Sequence, residues 1–203
     1  MSFVHLATTV SFPMSTGAFA PLAVGFFGLG TGYIIYGPQE LFGFPKRDKG
    51  VDLATGIWGI WMPGFMQFLA GTYLFVALVW LGTLSAPPLY MAALAFTAYG
   101  VHWWAIGWSR AAGGNSKPNA FMSIAFMLIS ALGIVVFFHA HDAPVGWLFV
   151  GLTLIYISDF FASLGSATGL RALGLFHLLT GGLLMYLTWA TVLNFASGFH
   201  LPL

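Results

Sequence analysis

The stretch Ala18-Phe-Ala-Pro-Leu-Ala-Val-Gly-Phe-Phe-Gly-Leu-Gly-Thr-Gly-Tyr33 opens the first long apolar run of the chain. Pro21 suits the first turn of a helix, where its missing N–H would have had no partner. Glycines follow at 25, 28, 30 and 32. That many glycines would weaken a helix in water. In a bilayer they let neighbouring backbones approach, and Gly28 and Gly32 stand one turn apart in the GxxxG manner. Two readings follow. The glycines form a helix-packing face, or they form a bare wall that, with Phe26 and Phe27, borders a path for a small solute.

Composition decides the class in which these readings compete. Charged residues make up 5% and apolar ones 59% of the 203 residues, and mean hydropathy is +0.91. Ordinary soluble domains carry about 25% charge, so the expectation is an all-α, polytopic membrane protein. There is no cysteine, hence no disulfide and no thiolate chemistry. A net charge of +1 is too small to suggest nucleic acid as a partner. At about 20 residues per crossing, residues 1–203 read as a single six-helix domain.

The apolar runs place the spans at about 19–36, 53–81, 89–108, 120–138, 145–164 and 173–195. Residues 1–17 lack the basic start of a signal peptide and read as a retained, partly interfacial N-terminal segment. The second run is longer than a bilayer needs, and Pro63-Gly64 inside it predicts a kink or local break. Segments 37–50, 110–118 and 165–172 read as loops. Six spans put both termini on one side. All six basic residues, Lys46, Arg47, Lys49, Arg110, Lys117 and Arg171, then fall on the other. The positive-inside rule places the termini outside the cytoplasm.

At this point the motifs carry a family resemblance. Ala20-Pro21-Leu22, followed by a glycine-rich run with Phe27-Gly28, is similar to the helix-opening signature of the acetate uptake transporter (succinate–acetate permease) family, usually Asn-Pro-Ala-Pro-Leu-Gly-Leu. Ala95-Phe-Thr97-Ala-Tyr99-Gly resembles the family's Ala-Phe-Thr-Ser-Tyr-Gly. Gln67 with Ala70-Gly71, and Tyr186-Leu187 with Val192-Leu193-Asn194, fit in the same order along nearly the whole chain. The resemblance implies six helices, a pore through each protomer, a homohexamer, and passage of acetate and in some members succinate, as anion channel or proton-coupled symporter. No enzymatic activity, metal or cofactor is implied. The chain departs from the signature at Ala18, Phe19 and Ala23, where Asn, Pro and Gly are usual, and in its charge bias, since the family's bacterial members have cytoplasmic termini.

By the same resemblance the narrowest point would be a Phe–Leu–Tyr ring: Phe27, Tyr99 and, from Gly151-Leu-Thr153, Leu152. Taken alone, Phe27 or Leu152 reads as ordinary core. In such a ring the apolar groups exclude water and the tyrosine hydroxyl donates to the carboxylate. The expected path adds Ala20, Pro21, Leu22, Gln67, Thr97, His102, Asp159 and Leu184. His102 is three residues after Tyr99, so the two share a helix face. Asp159 is seven after Leu152, about 10 Å along the same face. Ionisable groups at membrane depth face a cavity or a partner; Asp159 could exchange a proton as solute passes, or pair with His102 or His177. His139 and His141 flank a turn and read as solvated. Two other function classes stay open. His102 and His177 could hold haem iron, which an absorbance spectrum would decide. Alternatively, the solute could be urea, an amide or formate, which competition with labelled acetate would decide.

Overall fold

The computed structural model describes residues 21–203. Among these residues the chain is helical, with no strand. Six rods follow one another: α1 (Leu22–Phe42), α2 (Lys49–Trp80), α3 (Pro88–Ala111), α4 (Lys117–His139), α5 (Ala143–Ser163) and α6 (Ala167–Ser197). Four of them, α2, α4, α5 and α6, are long and apolar enough to cross a membrane. In α1 and α3 the apolar residues are interspersed with glycine, tyrosine, tryptophan and histidine, which lowers their hydropathy.

The rods start where the sequence supplies a cap or an early proline. Asp48 accepts from the Val51 N–H at 2.8 Å, Asp142 from Val145 at 3.1 Å and Ser166 from Gly169 at 3.1 Å, each satisfying a donor that a helix start leaves free. Pro88, Pro118 and Pro144 occupy first turns of α3, α4 and α5. Gly43 ends α1 in the left-handed region at φ 71°, its N–H on the Gln39 carbonyl at 3.0 Å, the ending that favours glycine.

Two boundaries differ most from the sequence expectation, by six residues each. α1 runs on to Phe42, although the segment from residue 37 reads as a loop, and α6 begins at Ala167 rather than about residue 173. In the first case Pro38 lies inside the helix. The clash that keeps the residue before proline out of the helix involves its Cβ, which Gly37 lacks. In the second, Ser166 starts the helix six residues early and carries Arg171 into its first turns. Pro63-Gly64 does not break α2; a π-helical stretch at Ile60–Phe65 absorbs it, and a second closes the rod at Val76–Trp80. Such stretches re-satisfy a backbone that proline interrupts.

Each helix packs against its sequence neighbours, and α6 closes back on α1. The six helices therefore form a closed ring with alternating direction, whose thinnest seam lies between α3 and α4. Small residues bring the backbones together. A Cβ at Gly28 would lie 2.6 Å from the Met62 carbonyl oxygen and 2.6 Å from the Met66 Cβ; one at Gly32 would lie 2.7 Å from Pro63. Gly28 and Gly32 thus seat α1 on α2, while Gly25 faces Phe96 of α3 and Gly30 faces Leu184 and Met185 of α6. Of the two readings of that stretch, the packing face is the one these contacts support.

Candidate functional site

Two cavities enter the ring from opposite ends. Along α1, α3 and α5 the residues nearer the N-terminus line one cavity and those nearer the C-terminus line the other; along α6 the order reverses. Phe26 and Leu29 face the first, Tyr33 and Glu40 the second. On α3 the change comes between Tyr99 and His102, on α5 between Leu152 and Ile155, and on α6 between Leu184 and His177. This matches an up-and-down ring with a closed waist. At the waist sit large side chains with essentially no exposed surface: Leu29, Tyr33, Gln67, Tyr99, Leu152 and Leu184.

The first cavity, about 230 Å³, is apolar. Among the described residues its lining includes no lysine, arginine or histidine, and Asp142, in the turn before α5, is its one ionisable acid. Burial pushes the Asp142 carboxyl above the usual carboxylate range, and the hydrogen bond from the Val145 N–H draws it part of the way back. Gln67 lines this cavity from α2. Its side chain is 0% exposed, and neither its amide nitrogen nor its amide oxygen has a hydrogen-bond partner.

The second cavity, about 170 Å³, is polar and lies at the end that carries Arg47 and Arg110. Asp52 binds both cations: Arg47 Nε at 2.9 Å and Nη2 at 3.0 Å, Arg110 Nε at 3.2 Å. The Arg110 guanidinium also lies 4.4 Å over the Tyr36 ring, and its Nη2 is buried without a partner. Across the cavity Glu40 meets His177 Nδ1, while the His177 ring stacks on Tyr33 at 4.5 Å. Tyr156 and His102 Nδ1 are 3.2 Å apart. Asp159 accepts from Ser123 and Ser163.

The expected site residues distribute unevenly over this frame. Leu22, Gln67, Tyr99, Leu152 and Leu184 line the apolar cavity; His102 and Asp159 line the polar one. Phe27 does neither. It is 41% exposed on the outside of the ring, and Phe26, 4% exposed, takes the place beside the waist with its ring 5.7 Å from Phe96. A helix turns about 100° per residue, so of two consecutive phenylalanines only one can face inward. The inward stripe is Phe26, Leu29, Tyr33 and Tyr36, at the spacing of 3, 4 and 3 that marks one helix face, and that spacing was the available signal. Thr97 bonds its own helix at the Ala93 carbonyl, 2.8 Å away, and packs on Gly71, on neither cavity. Pro21 precedes α1 and lines neither. Ala20 lies outside the described residues. His139 and His141 are exposed at their turn, as expected.

Tyr99 also has a partner within the protein. Its hydroxyl lies 2.8 Å from Ser130 Oγ, and Ser130 Oγ donates to the Phe126 carbonyl at 2.7 Å. Either hydroxyl of the Tyr99–Ser130 pair can donate to the other, so Tyr99 has a partner inside the protein as well as a place on the cavity lining. Asp159, for its part, pairs with serines and not with His102 or His177; it is Glu40, brought inward by the longer α1, that meets His177.

Comparison with solved structures gives a match to one described as the bacterial acetate channel SatP. The TM-score is 0.68 at 20% sequence identity, over 89% of this chain and 96% of that one. No family model and no curated protein matches the sequence. At this identity the likeness carries the fold: the six-rod ring is the architecture of that channel, in accord with the family resemblance of the motifs.

Proposed function

We propose that the chain is a transport protein and not an enzyme: a single six-span domain of a multi-pass cell-membrane protein, with a path through each protomer for acetate and related small carboxylates, succinate among them. The observation that carries the reading is the pair of cavities that enter the ring from opposite ends and meet at a waist of fully buried side chains, on a fold shared with an acetate channel. In this reading Tyr99 and Leu152 close the path together with Phe26. The cations Arg47 and Arg110 attract a carboxylate to the polar mouth. Asp159, held by two serines within that mouth, is the group suited to proton coupling if the protein works as a symporter; without coupling it works as a channel. A homohexamer, with the exposed apolar faces of the ring against other copies and lipid, and termini outside the cytoplasm complete the proposal.

A second reading is passage of urea, an amide or formate, favoured by the absence of any cation among the described residues lining the apolar cavity. The test is uptake of labelled acetate into proteoliposomes with each solute as competitor. Protein-dependent uptake blocked by unlabelled acetate and succinate supports carboxylate transport. Uptake no faster than in protein-free vesicles refutes it.

A further inference from the structure

Gln67 has a role that the closed waist makes specific. A primary amide presents one donor and one acceptor on the same edge. At Gln67 both are buried and unpartnered, although buried polar groups are nearly always hydrogen-bonded. The residue belongs to the lining of the apolar cavity, with Tyr99 and Leu152 across the waist. Two further facts bear on what could satisfy it. The Tyr99 hydroxyl already has Ser130 as a hydrogen-bond partner within the protein. The cavity has no cation among its described lining residues, and Asp142 is its one ionisable acid.

A carboxylate has only acceptors. It would satisfy the Gln67 N–H and leave the Gln67 oxygen facing another oxygen, with no positive charge to offset its own desolvation. An undissociated carboxylic acid has an O–H and a C=O on one edge. It would satisfy both ends of the amide in a two-bond ring, or send its proton to Tyr99. A primary amide has the same edge.

We propose that Gln67 selects, at the waist, solutes that present one donor and one acceptor on the same edge: a short-chain carboxylic acid in its undissociated form, with a primary amide as its non-ionisable counterpart. The proposal deepens the carboxylate reading above and rests on it for the natural solute. It assigns the selection to one side chain and the passing species to the neutral form.

The experiment measures two fluxes in proteoliposomes, each against protein-free vesicles. The first is labelled acetate influx with the membrane potential clamped at zero and at a large value of either sign. The second is swelling driven by an acetamide gradient. Wild type is compared with Gln67→Met, which keeps the length of the side chain and loses the amide. The expected result is protein-dependent acetate influx that does not change with voltage, measurable acetamide flux, and a loss of about ten-fold or more in both fluxes in the variant, the scale of one buried polar group left unpaired. Acetate influx that changes several-fold with voltage shows passage as the anion; it overturns the Gln67 proposal and leaves carboxylate transport standing. That arm needs only wild type, so it decides the matter even if the variant does not fold. Unchanged fluxes in a folded variant also overturn it. Acetamide flux that depends on Gln67, without acetate flux, keeps the selection by Gln67 and removes carboxylate transport. Absence of both fluxes removes both.

Discussion

Replacing Gly28 by alanine tests whether the opening stretch is a packing face. The added Cβ would sit 2.6 Å from a backbone oxygen of Met62 and 2.6 Å from the Met66 Cβ, where ordinary contact is 3.4–4 Å. Neither atom can swing away by a rotamer change, so α1 and α2 must part by about 1 Å, at the cost of the contacts between them. Overpacking of this kind costs about 1–3 kcal/mol, and the rigid neighbours place Gly28 in the upper half of that range. The gain in helix propensity from glycine to alanine returns about 0.5–1 kcal/mol, leaving a net loss of about 1–2.5 kcal/mol. Gly182 is the control: nothing lies within 4 Å of its added Cβ, so Gly182→Ala should show the propensity gain alone. For a chain of this size each kcal/mol moves Tm by about 2–4 °C. Thermal unfolding of the purified protein in mild detergent should therefore show Gly28→Ala lower than wild type by roughly 2–10 °C and Gly182→Ala equal or higher. A Gly28→Ala protein as stable as wild type, but with slowed acetate uptake, would refute the packing argument and restore the glycine wall as a border of the path.

Phe26→Ala should change acetate flux or its selectivity, whereas Phe27→Ala should leave flux unchanged; proteoliposome uptake by the two variants side by side checks this, and the reverse order would return Phe27 to the waist. Leu152→Ala removes a buried side chain, should cost about 2–5 kcal/mol, and should admit larger carboxylates, read as competition by propionate and butyrate. Tyr99→Phe should weaken stability by about 1 kcal/mol through the lost Ser130 bond and change acetate passage little; a loss of acetate flux with amide flux intact would show that the hydroxyl does donate to the solute. Asp159→Asn should keep downhill acetate flux and lose accumulation driven by a proton gradient; a variant that still accumulates acetate makes Asp159 structural. A tag at Leu203 should be reachable from outside intact cells and a tag within Gly113-Gly114-Asn115 shielded until the membrane is opened; the opposite pattern would show that the basic loops face outward.

The helical class, the order of the rods and most of their extents were legible because hydropathy and caps act locally. The two boundary errors share a cause. Proline and glycine at residues 37–38 and the polar run at 165–172 are loop signals on average. Their effect here is set by a neighbour: the missing Cβ of Gly37 in one case and the Ser166 cap in the other. The first error had consequences for the site, because a helix that ends at Tyr36 leaves Glu40 in a loop. Continued to Phe42, it carries Glu40 about one turn further on the inner face and into contact with His177. Asp52, Ser123 and Ser130 could not be found from spacing within one segment, since each matters through a partner on another helix: Arg110, Asp159 and Tyr99 respectively. By contrast Tyr99 with His102, and Leu152 with Asp159, share helix faces as their spacing requires. That spacing could not show that the waist falls between the members of each pair.

The waist also divides the ring electrostatically, and the division follows from the charge pattern of the loops. Arg47, in the connection between α1 and α2, and Arg110, in the last turn of α3, both reach the polar cavity. The connections at the other end contribute Asp142 and no cation to the apolar cavity. A carboxylate approaching the polar mouth meets guanidinium groups held in place by Asp52 and an aromatic face, with one Arg110 nitrogen still unpartnered. At the apolar mouth the same ion meets a carboxyl and a hydrocarbon wall, and at the waist an amide that it can satisfy by only half. The two ends therefore favour different forms of one solute: the anion where cations gather it, and the neutral acid where, among the described residues, Gln67 offers a buried and unpartnered amide. Between them lie Tyr33, Tyr156, His102, His177, Glu40 and Asp159, the hydroxyl, imidazole and carboxyl groups on the polar side of the waist. A solute that changes form on crossing must do so there, which places the question of channel against symporter on the few residues between Tyr99 and Asp159.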